Sequence, residues 1–314
     1  MTYTLKNENL TVTINSLGAE VVSVKDRNGR ELWWNGDPAF WKGHSPILFP
    51  ACGGLWNGKY SLNGKDYNMP KHGFAKGMEF EIDKDSPVTE GDEISEVSFT
   101  TTNNDETMLC FPFRWQLTLR YTLRGEQLEC EAEVRNLSDE TMHYQIGGHP
   151  ALALPDFDTV EGDDASRIIG YMTPTNTAAS GPVNGVSVVR AGEQGCWSPE
   201  RYHVQMNENG LIPICVDTFR NEALIFDGGQ FYAMNLYRAD GETPLAQVYF
   251  DAHVCLVWQM TDLLCPYVCI EPWFGLCDRQ GWSMPLDYRP FTQHTMAHEE
   301  SNFFLWGIRF CLPS

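Results

Sequence analysis

The sequence predicts an all-β protein built as one large antiparallel β-sandwich with few short helices. Three observations carry that expectation: apolar and polar residues alternate with period two, Asn-Gly pairs separate several such runs, and segments of period 3.6 are scarce. The clearest run sets Leu117, Leu119, Tyr121 and Leu123 against Thr118, Arg120, Thr122 and Arg124. After a turn at Gly125, Leu128, Cys130, Ala132 and Val134 alternate with Glu129, Glu131, Glu133 and Arg135. This predicts a hairpin with one buried and one solvated face, and arginine opposite glutamate if the register fits.

The remaining elements follow from shorter signals. Asn28-Gly29 sits between Val21-Val22-Ser23-Val24 and Glu31-Leu32-Trp33-Trp34, and Asn63-Gly64 sits between Gly58 to Leu62 and Lys65 to Tyr67. Both pairs suit tight turns that need positive φ. Asp37 to Trp41 suits one short helical turn. Residues 155–210 carry many Gly, Pro, Asp, Asn and Ser, and read as a loop-rich excursion over one end of the sheets that rims a binding site. With no linker, repeat or low-complexity tract, residues 1–314 read as a single domain.

Composition narrows the function. The chain has 22 basic against 42 acidic side chains, a formal charge of −20, so nucleic acid and anionic membrane surfaces are excluded as expected partners. Met1 to Lys6 holds no apolar run of a signal peptide, and no stretch reaches the roughly 18 to 20 apolar residues of a membrane span. The ten cysteines are therefore expected to be reduced and the protein cytoplasmic.

Two segments place an ionisable group on a stiffened backbone: Gly147-Gly148-His149-Pro150 and Glu271-Pro272-Trp273. A residue before proline is held extended, and paired glycines permit close approach to the main chain. If the fold brings them together, the imidazole and the carboxyl group form a general acid/base pair. The plainer readings are a satisfied strand-end histidine and an ion pair between Glu271 and an arginine such as Arg279. Pro70 to Gly77 adds His72 and Lys76, which suit either hydrogen bonding to a polar ligand or a structural turn.

No metal or cofactor is expected. Cys265, Cys269 and Cys277 lack a partnering C-x-x-C and suit buried small hydrophobes. His294 and His298 would share one helix face, but the following Glu299 and Glu300 do not make the H-E-x-x-H pattern. Phosphate-binding and dinucleotide glycine fingerprints are absent, as is G-x-S-x-G.

Taken in order, Pro46-Ile47-Leu48-Phe49-Pro50, His72-Gly73-Phe74-Ala75, Gly148-His149-Pro150-Ala151 and Glu271-Pro272-Trp273 resemble the aldose 1-epimerase (galactose mutarotase) family. The resemblance runs from about residue 5 to 280, and is greatest to the bacterial branch encoded near lactose or tagatose utilisation genes. It implies a β-supersandwich and a cofactor-independent mutarotase interconverting the anomers of a hexose. By this resemblance Glu271 is the base at the anomeric hydroxyl, His149 the acid toward the ring oxygen, and His72 a hydrogen-bonding partner near the ring. Lys76 stands where the family usually carries arginine. The family's site aspartate matches either Asp217 or Glu222. Gly53-Gly54 stands where an arginine is usual, and the tail from Thr292 to Ser314 departs from the family ending. The implied partner is a small monosaccharide, with the chain a monomer or homodimer. A non-catalytic sugar sensor is a competing reading. So is a polysaccharide lyase or glycosidase on the same fold, although the prominent pair is not two carboxylates.

Overall fold

The computed structural model describes residues 1–83, 93–160, 165–177, 181–282, 284–289, 293–295 and 297–313. The predicted hairpin forms over Trp115–Arg124 and Gln127–Asn136, with Leu117 opposite Val134 and Arg120 opposite Glu131. Arg120 lies 3.1 Å from Glu131, but both side chains are about two-fifths exposed, so the pair is worth only a fraction of a kcal/mol, roughly 0.2–1. Leu117, Leu119, Leu123 and Leu128 are buried, each contributing on the order of 1.5–3 kcal/mol. The apolar face fixes the register.

Among the described residues this hairpin belongs to a nine-stranded antiparallel sheet. Its spatial order is Ile212–Ile214, Gly170–Thr175, Ala233–Tyr237, Pro244–Phe250, Ser301–Phe310, Gln127–Asn136, Trp115–Arg124, Ile94–Thr102 and Glu81–Ile82. Among the described residues a seven-stranded sheet starts at Ile146–Gly147 and Ala151–Ala153, both paired with Tyr267–Phe274, and runs on through Val254–Trp258, Leu224–Phe226 and Ser187–Ala191 to Trp197–His203. Leu119, Val134, Val248 and Ile308 of the first sheet share one buried cluster with Val257, Val268, Ile270 and Phe274 of the second. Thr2–Lys6, Leu10–Asn15 and Glu20–Asp26 form a third, smaller sheet. No helix among the described residues is long and apolar enough to cross a membrane. All ten cysteines are free.

Several expectations need correction. Asn63-Gly64 makes its hairpin, between Lys59–Leu62 and Lys65–Asn68, with φ of +50° and +77°. At Asn28-Gly29 the turn forms and Glu31 bridges Lys25 across it, but the pairing stops there and Trp33 bridges Leu152 instead. Residues 155–210 are loop-rich as expected, but they also supply the strands Gly170–Thr175, Ser187–Ala191 and Trp197–His203. The last lies at a sheet edge with both faces largely exposed, so it carries no alternating pattern. Gln293–Thr295 is a strand opposite Met142–Tyr144, which removes the shared helix face expected for His294 and His298.

The tail is central to the fold. Ser301–Phe310 pairs with Pro244–Phe250 on one side and Gln127–Asn136 on the other, burying Phe304, Trp306, Ile308 and Phe310.

Candidate active site

One strand organises the site. Tyr267–Phe274 is buried on both faces, which accounts for its nearly continuous apolar sequence. Val268, Ile270 and Phe274 enter the inter-sheet cluster, while Cys269 and Trp273 pack into two clusters on the opposite face. By alternation Glu271 shares that opposite face.

The strand pairs twice with one neighbouring stretch: Gly147 lies opposite Trp273, and Ala151 opposite Cys269. Gly148, His149 and Pro150 span the interval between them. Gly148 N–H donates to Pro272 O (3.0 Å) and Ile270 N–H donates to Pro150 O (3.1 Å). His149 is therefore held beside Glu271. A Cβ on Gly148 would lie 2.7 Å from the Trp306 indole, so the tail strand supplies the packing that makes glycine necessary there. Leu48 bridges Gly147, and Phe49 bridges Gly73. All four segments that carried the family resemblance thus lie side by side.

His149 Nε2 is 3.1 Å from Glu271 Oε1, in a geometry that does not form a hydrogen bond. Trp273 Nε1–H donates to Glu271 Oε2 (3.1 Å). Glu271 is 1% exposed, and the group beside its carboxyl is the His149 imidazole rather than an arginine. Burial pushes its carboxyl well above the usual range, opposed by the Trp273 N–H and by Lys71. Burial pushes His149 down to about 3, against its own backbone, with Lys71 and Lys76 adding to the fall. Trp41 stacks on the imidazole at 5.0 Å and 27°. Burial favours the uncharged forms of both groups.

His72 adopts φ +65°. Its N–H donates to Gly53 O (2.8 Å) and its Nδ1 accepts from Gly53 N–H (3.1 Å), leaving Nε2 as the hydrogen-bearing nitrogen. Burial lowers its pKa well below the ordinary value, so the ring is a neutral donor. His72, His149 and Glu271 line a cavity of about 580 Å³ together with Lys71, Lys76 and Glu222. Lys76 donates to Lys71 O (2.9 Å), and burial followed by Lys71 depresses its pKa.

Asp217 is not in this wall. It lies on the short helix Val216–Phe219, paired with Arg220, and lines a different cavity. Of the two carboxylates left open by sequence, only Glu222 reaches the site. At Gly54 a Cβ would collide with Gln194 O, because the turn around Gln194 and Gly195 closes over it. The Lys71 stem crosses Gly195 and occupies the wall beside that turn. This turn is the only part of residues 155–210 seen to line the cavity beyond Ala191 among the described residues.

Sequence reasoning missed Glu20, Trp41, Lys42 and Trp258, which also line the cavity. Phe40-Trp41-Lys42-Gly43 held a usable signal, an aromatic pair against a glycine. A Cβ on Gly43 would press on the Trp41 ring. Glu20 Oε1 accepts the N–H groups of His44 (3.0 Å) and Ser45 (2.9 Å), anchoring this loop.

The family model described as aldose 1-epimerase matches residues 1–280. The chain belongs to the aldose 1-epimerase family. Within the family, the chromosomal LacX protein of Lactococcus lactis subsp. lactis is 30% identical over 282 residues, 88% of each chain. A galactose mutarotase related enzyme from Lactobacillus acidophilus superposes with a TM-score of 0.85 at 28% identity, covering 99% of this chain and 98% of that one. A galactose mutarotase-like protein from Lactobacillus casei has the same fold, with a TM-score of 0.84 at 22% identity over 99% and 100% of the two chains. Membership supports a sugar epimerase of the isomerase class, in the branch that includes LacX. The central tail strand lies beyond the stretch the family model matches.

Proposed function

We propose that this protein is a mutarotase that interconverts the α and β anomers of a hexose, with Glu271 as base and His149 as acid. One observation carries the reading: an imidazole and a carboxyl group 3.1 Å apart in the wall of a cavity sized for one sugar. Neither atom is taken up by a hydrogen bond to the other. Trp41, Trp258 and Trp273 give that cavity aromatic surfaces against which a sugar's apolar face can pack.

Glu271 takes the proton of the C1 hydroxyl while His149 delivers one to the ring oxygen, and the C1–O5 bond opens. Rotation about C1–C2 turns the other aldehyde face toward the hydroxyl, and closure reverses both transfers. Proton count is conserved, and the steps use only groups of the chain. Each group is typically worth about 10² to 10⁴ in rate. The working state needs a carboxylate and an imidazolium, the reverse of what burial favours. The Trp273 N–H and the Lys71 charge favour carboxylate at Glu271, and a bound sugar hydroxyl adds a further donor. His72 supplies a neutral hydrogen-bond donor near the ring, with Lys76 and Glu222 facing the remaining hydroxyls.

Polarimetry or exchange NMR on anomerically pure hexoses and their phosphates tests the reading. Acceleration by the wild-type protein is expected for at least one sugar. No acceleration across the series would overturn it, and calorimetric binding without interconversion would point to a sugar-binding protein.

A further inference from the structure

A third donor atom completes the group around the acid/base pair. Cys269 lies two residues before Glu271 on the same strand, and its Sγ, a Glu271 carboxylate oxygen and a His149 ring nitrogen all lie within 4.8 Å of one another. All three side chains are buried, and Glu271 Oε1 has no hydrogen-bond partner. Three atoms so spaced share a point no more than about 2.8 Å from each, against the roughly 2.0–2.3 Å of zinc bonds to nitrogen, oxygen and sulfur. Shifts of about half an ångström close the difference.

We propose that Cys269, His149 and Glu271 form a three-ligand site for a borderline divalent cation of the zinc type, whose occupancy blocks the acid/base pair. The blocking rests on the catalytic reading above; the ligation does not. Charge favours such an ion here. A thiolate, a carboxylate and a neutral imidazole around a doubly charged cation sum to zero, so no net charge is left buried. Binding sends the thiol proton, and the carboxyl proton where one is present, to bulk water, and no electron moves. His149 and Glu271 line the cavity, from which water or a sugar hydroxyl would complete a tetrahedron.

The same residues set the selectivity and the strength. One carboxylate among sulfur and nitrogen offers too few oxygens for magnesium or calcium. His149 Nδ1 is buried without a partner, so the supporting hydrogen bond that usually tightens a metal-bound histidine is missing. That absence costs on the order of 10- to 100-fold in affinity and suits a reversible inhibitor rather than a resident cofactor.

Cobalt(II) is the probe. One equivalent added to the wild-type protein should give a thiolate-to-cobalt charge-transfer absorption that zinc removes and magnesium does not. Cys269→Ser should lose the band, whereas Cys110→Ser and Cys311→Ser, at the two less buried thiols, should keep it. Glu271→Gln should keep the band and weaken cobalt binding at least about tenfold. If Cys269→Ser fails to fold, Glu271→Gln and the two control variants still decide. Zinc should slow sugar interconversion in competition with the hexose, each protein being compared with its own zinc-free rate. A band that survives Cys269→Ser or vanishes in either control overturns the site, as does unchanged affinity in Glu271→Gln. Ligation without any interconversion would leave the site standing and remove the catalytic reading alone.

Discussion

Glu131 and Glu271 are the same residue type in the middle of antiparallel strands, and their surroundings make them opposites. Glu131 sits on the solvated face of a hairpin, two-fifths exposed and opposite Arg120. Glu271 sits on a strand buried on both faces, 1% exposed, with an imidazole rather than a guanidinium beside it. The first keeps its hydration and does little for the fold. The second gives up hydration with no guanidinium in return, a cost that packing alone does not explain. On the catalytic reading proposed above, chemistry is the compensation, and neighbours rather than residue type mark the functional carboxylate.

Substitution along a series of carboxylates tests that contrast. Glu271→Gln is expected to lower kcat about 10² to 10⁴-fold while leaving the melting temperature unchanged or raised, since a buried ionisable group is replaced by a neutral isostere. Near-normal turnover would remove Glu271 from the chemistry. Asp278 is the buried carboxylate that does carry a guanidinium. Arg289 Nη2 is 3.0 Å away, both side chains are under 4% exposed, and Trp56 N–H also donates to it. Asp278→Ala strands a buried arginine and should cost about 3–5 kcal/mol in denaturant unfolding. A loss below about 1 kcal/mol would show the pair to be more hydrated than its burial implies.

Asp156 lies between the extremes. Its carboxylate accepts from Arg238 and from Ala239 N–H (2.8 Å), and the Arg238 hydrogen bond holds its pKa below the usual value. The sign follows from that depression. The contribution is present above the unfolded carboxylate value near 4, and it is lost as pH falls through the lower folded value. Because Arg238 is two-fifths exposed, Asp156→Asn should cost only about 1 kcal/mol at neutral pH and flatten the acid limb of stability against pH. An unchanged acid limb would contradict this. Glu131→Gln should cost less than about 1 kcal/mol, and a larger loss would break the contrast at its weak end.

The same contrast explains what could be read in advance. The hairpin of Trp115–Arg124 and Gln127–Asn136 was legible because one face is wet, so burial writes itself into the sequence as alternation. His149 and Glu271 were legible as candidates because proline and glycine flank them, yet their meeting depends on a strand that pairs twice with one interrupted neighbour. Trp41 and Trp258 reach the cavity from a loop and a strand end, where no period exists to reveal a direction. Asp217 and Glu222 lie in one short segment, and the turn geometry around Phe219 to Glu222 separated them. Trp197–His203 was hidden because an edge strand can be polar on both faces.

The place of Ser301–Phe310 has a consequence for how the molecule is made. During synthesis the strands on either side of it, Gln127–Asn136 and Pro244–Phe250, leave the ribosome well before it does. Until residue 310 emerges they face each other across an open slot, and the nascent sheet offers two unsatisfied edges to any passing chain. The Trp306 packing against Gly148 likewise comes only with this strand, long after His149 itself has been made.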